Sequence, residues 1–281
     1  MDIISFTTSG TERGQVGSSN VPLWNFAYHP HPSWLESVAA VAKPEPWGTG
    51  YKVLELYLRA NFEIAKRTGK IYENKENGMA FWRAGSLLNT TADPLWIVYR
   101  RNRRDFPSWA FREVMTGDTP NGEDAKKYEI KHEFPEFHRD WLIHFEQTGL
   151  QHILRDSRNV ERLRKVFTDA LGGTFNEHLI FRAIYGEIQL KRKEEAVLPQ
   201  WYHGDYKFVM PLFLTQSQKV DLTAALEPDE ALRRYVVKTL LMPNYAYAYT
   251  RAVVKSRDMF AAWMLLDERE LEVAPIEDEL E

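Results

Sequence analysis

Four arginines fall within five residues at Arg100-Arg101-Asn102-Arg103-Arg104. Guanidiniums this close repel one another unless solvent or an anion offsets them, and each presents a planar fork matched to phosphate. Trp96, Tyr99, Phe106 and Trp109 flank the run, so cationic donors stand beside rings on which bases would stack. This pattern predicts binding of RNA or another single-stranded nucleic acid, with Arg100, Arg101, Arg103 and Arg104 on phosphates and Trp96, Tyr99 or Trp109 as stacking surfaces. A plainer reading of the same residues is a solvated strand end whose arginines pair with Asp105, Glu113 or the acidic tail. A second basic group, Lys191-Arg192-Lys193, lies at an expected helix end, where the macrodipole itself favours cations.

Asp221 and Arg251 form the other polar constellation. Asp221 begins an apolar run and Arg251 stands on a helix just after the next strand, so the chain path would bring them together. With Tyr247 as a third group they would orient a phosphate or a water, in a metal-independent enzyme acting on a nucleotide or RNA end; alternatively they form one buried ion pair that fixes strand and helix register. Tyr245 and Tyr249 share a helical face, and these rings either pack or stack.

Metal and cofactor chemistry find no such support. The chain has no cysteine, which excludes disulfides, thiolate metal sites and cysteine nucleophiles together. His29-Pro30-His31-Pro32 is not a complete ligand set, and His132, His138, His144, His152 and His178 form neither an HExxH pair nor a pair four residues apart. No P-loop, nucleophile elbow or glycine-rich dinucleotide fingerprint occurs. We therefore expect no metal and no cofactor.

The elements that must position these groups follow from periodicity. Residues 51–68 carry Leu54, Tyr57, Leu58, Phe62 and Ala65 at helical steps, with Glu55, Arg59, Glu63 and Arg67 on the other face and Gly69 as the stop. Residues 70–73, 79–87 and 95–99 read as strands divided by turn signals. Residues 135–148, 159–171 and 174–195 read as helices, the last opened by a capping box at Thr174 to Glu177. The apolar runs 196–202, 206–214, 220–226 and 235–241, followed by a helix over 245–254, predict an antiparallel meander that feeds a helix. Between 21 and 47 the prolines forbid long elements, so Trp24, Phe26, Trp34 and Trp47 would staple an irregular segment onto the body. The expected fold is α+β: an antiparallel sheet with helices on one face and a helical insertion, about 134–195, between two halves of the sheet.

At 281 residues, 44% hydrophobic and 27% charged, the chain can bury one large core or two modest ones. We expect a mobile arm over 1–20, a single domain over 21–266 and an acidic tail over 267–281. That tail contributes −7 to a net charge of −4, which leaves the body at +3. No apolar run of about 18 residues and no signal-peptide core is present, and with the lack of cysteine this predicts a cytoplasmic protein without a membrane partner. The segment 21–47 and the acidic tail offer a further reading, an interaction subunit with a protein partner.

Leu198-Pro199-Gln200-Trp201-Tyr202, the run from Lys207 through Pro211 to Leu214, Val220-Asp221-Leu222, Tyr235 with Thr239, Ala246-Tyr247 with Arg251, and Trp263 together resemble the C-terminal pattern of the bacterial family called Domain of Unknown Function 3825. Asp93-Pro94-Leu95-Trp96 through Tyr99 to Asn102 is similar to that family's aromatic strand ending in asparagine, and the 51–68 helix sits where its N-terminal helix does. The resemblance spans about 45–265. It implies a prior toward nucleic acid, because members occur beside small RNA-binding modules and in conflict-related settings. The chain departs from the pattern at Trp82-Arg83-Ala84-Gly85 and at Tyr249 and Thr250, so any activity carried by the family's asparagines there would be lost or altered.

Overall fold

A computed structural model describes residues 21–104, 106–145, 160, 161, 163, 164, 166, 167, 177–192, 197–202, 204–215 and 220–254. The expected arm over 1–20, the acidic tail, residues 174–176 of the capping box and Trp263 lie outside the described residues. In chain order the elements are α1 (Pro22–Phe26), β1 (Ala27–Tyr28), α2 (Ser33–Val41), α3 (Lys52–Arg67), β2 (Ile71–Asn74), β3 (Met79–Leu88), β4 (Pro94–Arg101), β5 (Trp109–Thr116), β6 (Leu142–His144), α4 (Glu177–Lys191), β7 (Leu198–Tyr202), β8 (Asp205–Leu212), β9 (Leu222–Asp229), β10 (Arg234–Leu241) and α5 (Pro243–Arg251). The fold is α+β. Its described residues divide into two compact units, one holding those of 21–45 and 62–130, the other those of 46–61 and 131–254.

The first unit is built on a five-stranded sheet of order β1-β5-β4-β3-β2. Residues 95–99 of β4 are all buried, the mark of a strand covered on both faces. On one face Trp96 and Val98 meet Phe81 and Tyr128 in a small aromatic cluster, with Tyr72, Met79 and Met115 at its margin. On the other, Tyr99 lies edge-on to Phe26 and His29, and Phe62 packs edge-on to Trp82. Trp24, Trp34 and His29 complete that core. The prolines near 30 do not exclude a helix: α2 starts directly after Pro32, where a proline lacks no bond the helix needs. α3 ends as its sequence predicts, with Gly69 at φ +65° and the Lys70 N–H donating to the Ala65 carbonyl at 2.7 Å.

The second unit carries the meander as a sheet of order β6-β10-β9-β8-β7. Phe208, Met210 and Leu212 of β8 pack with Leu222, Ala224 and Leu226 of β9, against Ile180, Ile184 and Ile188 of α4. Leu163 and Phe167, in the helical residues near 160, join the same core. α5 packs against β7, β8 and β9.

Both sheets are mixed, which corrects the expectation of a purely antiparallel one. β1 runs parallel to β5 and β6 runs parallel to β10, each as an outermost strand. These edge pieces are two and three residues long, too short to leave an alternating pattern. The expected helix over 135–148 also gives way where it is described. Residues 135–141 have no regular structure and 142–144 form β6, because Phe137 and Trp141 pack on Tyr235 and the Tyr235 hydroxyl accepts the His138 N–H at 2.7 Å. A tertiary partner overrides the local period.

Candidate functional site

The arginine run sits where β4 leaves the core. Tyr99 is fully buried and Arg100 is exposed, so polarity changes within one residue. Backbone pairing continues past that point: Arg100 stands opposite Met79 and Ala110, Arg101 opposite Trp109, and the Arg101 N–H donates to the Gly78 carbonyl at 3.0 Å. Asn102 then shapes the turn into β5. Its N–H donates to the Ser108 carbonyl at 2.9 Å, its side-chain amide donates to the Pro107 carbonyl at 2.8 Å, and its side-chain oxygen accepts the Arg104 N–H at 3.2 Å. The asparagine fixes the loop from which Arg103 and Arg104 project.

Residues 100–104 line one open cavity of about 500 Å³, together with Tyr28, Phe106, Pro107 and Ala110. Phe106 is 55% exposed. Among the described residues, Arg100, Arg101, Arg103 and Arg104 form no ion pair; Glu113 is engaged by Arg112 at 3.0 Å instead. Asp105 and the acidic tail, the other expected partners, lie outside the described residues. Among the described residues the cavity therefore gathers four cations and no carboxylate, an arrangement that attracts an anion from solvent.

The rings named with the cluster do not share its exposure. Trp96 and Tyr99 are 0% and Trp109 is 2% exposed, so their faces are core contacts rather than platforms for a base. Their polar atoms are satisfied inside: Trp96 donates to the Gly117 carbonyl at 2.9 Å, Trp109 to a Glu73 carboxylate oxygen at 3.0 Å, and Trp82 to the Tyr99 hydroxyl at 3.0 Å. The Tyr99 hydroxyl in turn donates to His29 Nε2 at 3.2 Å, and His29 Nδ1 donates to the Ala27 carbonyl at 2.9 Å. This order follows because a carbonyl can only accept, which places the His29 proton on Nδ1. Burial pushes the His29 pKa down to about 3 and raises that of Tyr99, so both are neutral. His29 is thus a satisfied core histidine.

Asp221 is engaged separately from Tyr247 and Arg251. The Asp221 carboxylate accepts from the Leu214 and Thr215 N–H groups and the Thr215 hydroxyl, each at 2.7 Å, and so closes the β8–β9 connection. Arg251 is 5% exposed with its guanidinium over the Tyr57 ring at 5.6 Å, and Tyr247 is 3% exposed. The expected meeting of Asp221 with Arg251 is replaced by these separate engagements. Lys191, of the second basic group, has its ammonium over the Phe213 ring at 4.8 Å.

The cavity also contains residues that the sequence did not single out. Tyr28 arrives through the β1–β5 pairing, which no local signal announces. Ala110 is unremarkable in type and carries no signal of its own. Among the described residues no group of three or more His, Asp or Glu side chains could hold a metal ion, and no helix is long and apolar enough to cross a membrane.

Comparison with curated proteins and with solved structures returned no match. A family model described as a domain of unknown function, DUF3825, matches residues 38–259, a span that takes in the arginine cavity's β4–β5 hairpin as well as the meander and α5, and the chain belongs to that family.

Proposed function

We propose that this protein binds RNA or another single-stranded nucleic acid at the tip of the β4–β5 hairpin. One observation carries the reading: Arg100, Arg101, Arg103 and Arg104 line a single cavity and, among the described residues, have no carboxylate partner. Guanidiniums with no carboxylate partner among the described residues present their planar forks to phosphate oxygens in bidentate fashion. The stacking role passes from Trp96, Tyr99 and Trp109 to Phe106 and Tyr28, the rings that line the cavity. A reducing compartment such as the bacterial cytoplasm suits a chain without cysteine.

The test is fluorescence anisotropy of a labelled single-stranded RNA at several salt concentrations. Four phosphate contacts on a single strand predict a log–log slope of about −3, so affinity should fall about fifty-fold between 50 and 200 mM salt. The variant with Arg100, Arg101, Arg103 and Arg104 all changed to Glu should lose binding while its circular dichroism stays unchanged. Wild-type protein that leaves the RNA free at 50 mM salt, or a reversal variant that binds as well as wild type, would refute the proposal. Shortening of the RNA during the titration, seen on a denaturing gel, would add a catalytic step to the same site.

A further inference from the structure

The strand register gives the cavity a floor and two walls. Tyr28 pairs with Ala110, and Ala110 pairs with Arg100. Side chains of paired residues point to the same face of a sheet, so Tyr28, Ala110 and Arg100 form a row across β1, β5 and β4. Adjacent strands lie about 4.8 Å apart, which puts Tyr28 and Arg100 roughly 10 Å apart with only a methyl group between them. Phe111 and Trp109, on either side of Ala110, turn to the opposite face, where Phe111 meets His29 and Trp34 and Trp109 stacks on Phe26. Alanine at 110 therefore leaves a slot, open above, with an aromatic ring on one side and a guanidinium on the other.

We infer that this slot receives one nucleobase, lying over Ala110 between Tyr28 and Arg100, while Arg103 and Arg104, on the loop beyond the strand, hold the phosphate of the same nucleotide. The inference rests on the nucleic-acid reading above and narrows it to a single nucleoside phosphate unit. Three features favour a unit over a tracked strand. Among the described residues, the cations that line the cavity all fall within 100–104, at one hairpin tip. The cavity, about 500 Å³, has the size of an ordinary small-molecule site (~300–1,000 Å³). Its apolar surfaces, from Tyr28, Phe106, Pro107 and Ala110, are contiguous with the cations, as a ligand with one flat apolar part and one anionic part requires. Stacking of this kind tolerates any base, and a duplex would have to unpair to supply one.

The unit can come from a strand end, from the interior of a strand or from a free nucleotide, and the test separates these. Binding of a labelled 5′-phosphorylated single-stranded RNA is measured for wild type, Ala110→Leu and Tyr28→Ala, with AMP, ribose 5-phosphate and inorganic phosphate as competitors. A circular RNA of the same sequence and a duplex serve as further ligands. Ala110→Leu fills the slot without touching a charge. It should weaken RNA binding at least ten-fold and leave the salt slope unchanged. Tyr28→Ala removes a wall instead of filling the floor, so a matching loss guards against a folding defect in either variant.

AMP should displace the RNA at least ten-fold better than ribose 5-phosphate, and the duplex should bind more weakly than the single strand. Circular RNA that binds as tightly as linear assigns the nucleotide to the strand interior, weaker binding assigns it to the end, and both uphold the slot. RNA binding with the predicted salt slope, but indifferent to Ala110→Leu and to Tyr28→Ala and displaced equally by ribose 5-phosphate and AMP, would overturn the inference and leave the general reading standing. Failure of the wild-type protein to bind RNA at low salt removes both.

Discussion

Tyr99→Phe is the sharpest probe of how the site is held. The substitution keeps the ring that lies edge-on to Phe26 and His29 and removes only the hydroxyl. That hydroxyl accepts the Trp82 indole N–H at 3.0 Å and donates to His29 Nε2 at 3.2 Å, and all three residues are 0% exposed. Two buried polar atoms are left without partners, each costing about 1–3 kcal/mol, so the loss should be about 3 kcal/mol. With a urea dependence of ~2 kcal/mol/M the unfolding midpoint would fall by about 1.5 M. Near-UV circular dichroism during urea titration reports the tryptophan-rich core directly. A shift below about 0.3 M at unchanged slope would show that the hydroxyl carries neither bond, and the chain from Trp82 to Ala27 would have to be abandoned.

Acid should weaken the same core. Burial pushes the His29 pKa down to about 3 from its ordinary 6.5, so as pH falls through that window the unfolded chain takes up a proton that the folded one refuses. Stability is complete above about pH 6.5 and should be lost at up to about 1.4 kcal/mol per pH unit below it, a slope that His29→Gln removes in urea titrations at pH 7, 6 and 5. Asn102→Ala deletes the side-chain bonds to the Pro107 carbonyl and the Arg104 N–H; a cost of about 1–2 kcal/mol in thermal unfolding is expected, with weaker RNA binding at an unchanged salt slope, since no charge is lost. Asp221→Ala removes the acceptor of three hydrogen bonds and should cost about 2–3 kcal/mol while leaving RNA affinity unchanged, which anisotropy and urea unfolding check together.

Legibility of the fold followed the range of the interactions that form it. α3, β2 to β4 and the β7 to β10 meander with α5 are visible because each is set by its own period and closed by its own turn residues, such as Gly69 and the asparagines at 74 and 77 that cap the β2–β3 turn. The prolines mask α2 in the sequence, although Pro32 precedes the helix rather than interrupting it. β1 and β6 have no signature because their hydrogen bonds come from β5 and β10, far along the chain. The apolar residues at 137, 141 and 145 do recur at helical spacing, yet the ring of Tyr235 offers Phe137 and Trp141 a burial that a local helix does not.

Charge and shape at the candidate site divide in the same way. A run of arginines is local, so its position and exposure can be read directly. The aromatic residues beside it are not independent of the sheet: five consecutive apolar residues over 95–99 already describe a strand with no solvent face, and that pattern contradicts any role for Trp96 or Tyr99 as an open platform. What replaces them depends on parity. Because Val98 and Arg100 share a face, the aromatic cluster that covers Trp96 and Val98 ends where the cations begin, and the small residue opposite Arg100 becomes the base of a cavity. A leucine or phenylalanine at 110 would have extended the covered face by one more row and closed the cavity. The residue that leaves this cavity open is thus the least conspicuous of its described lining residues.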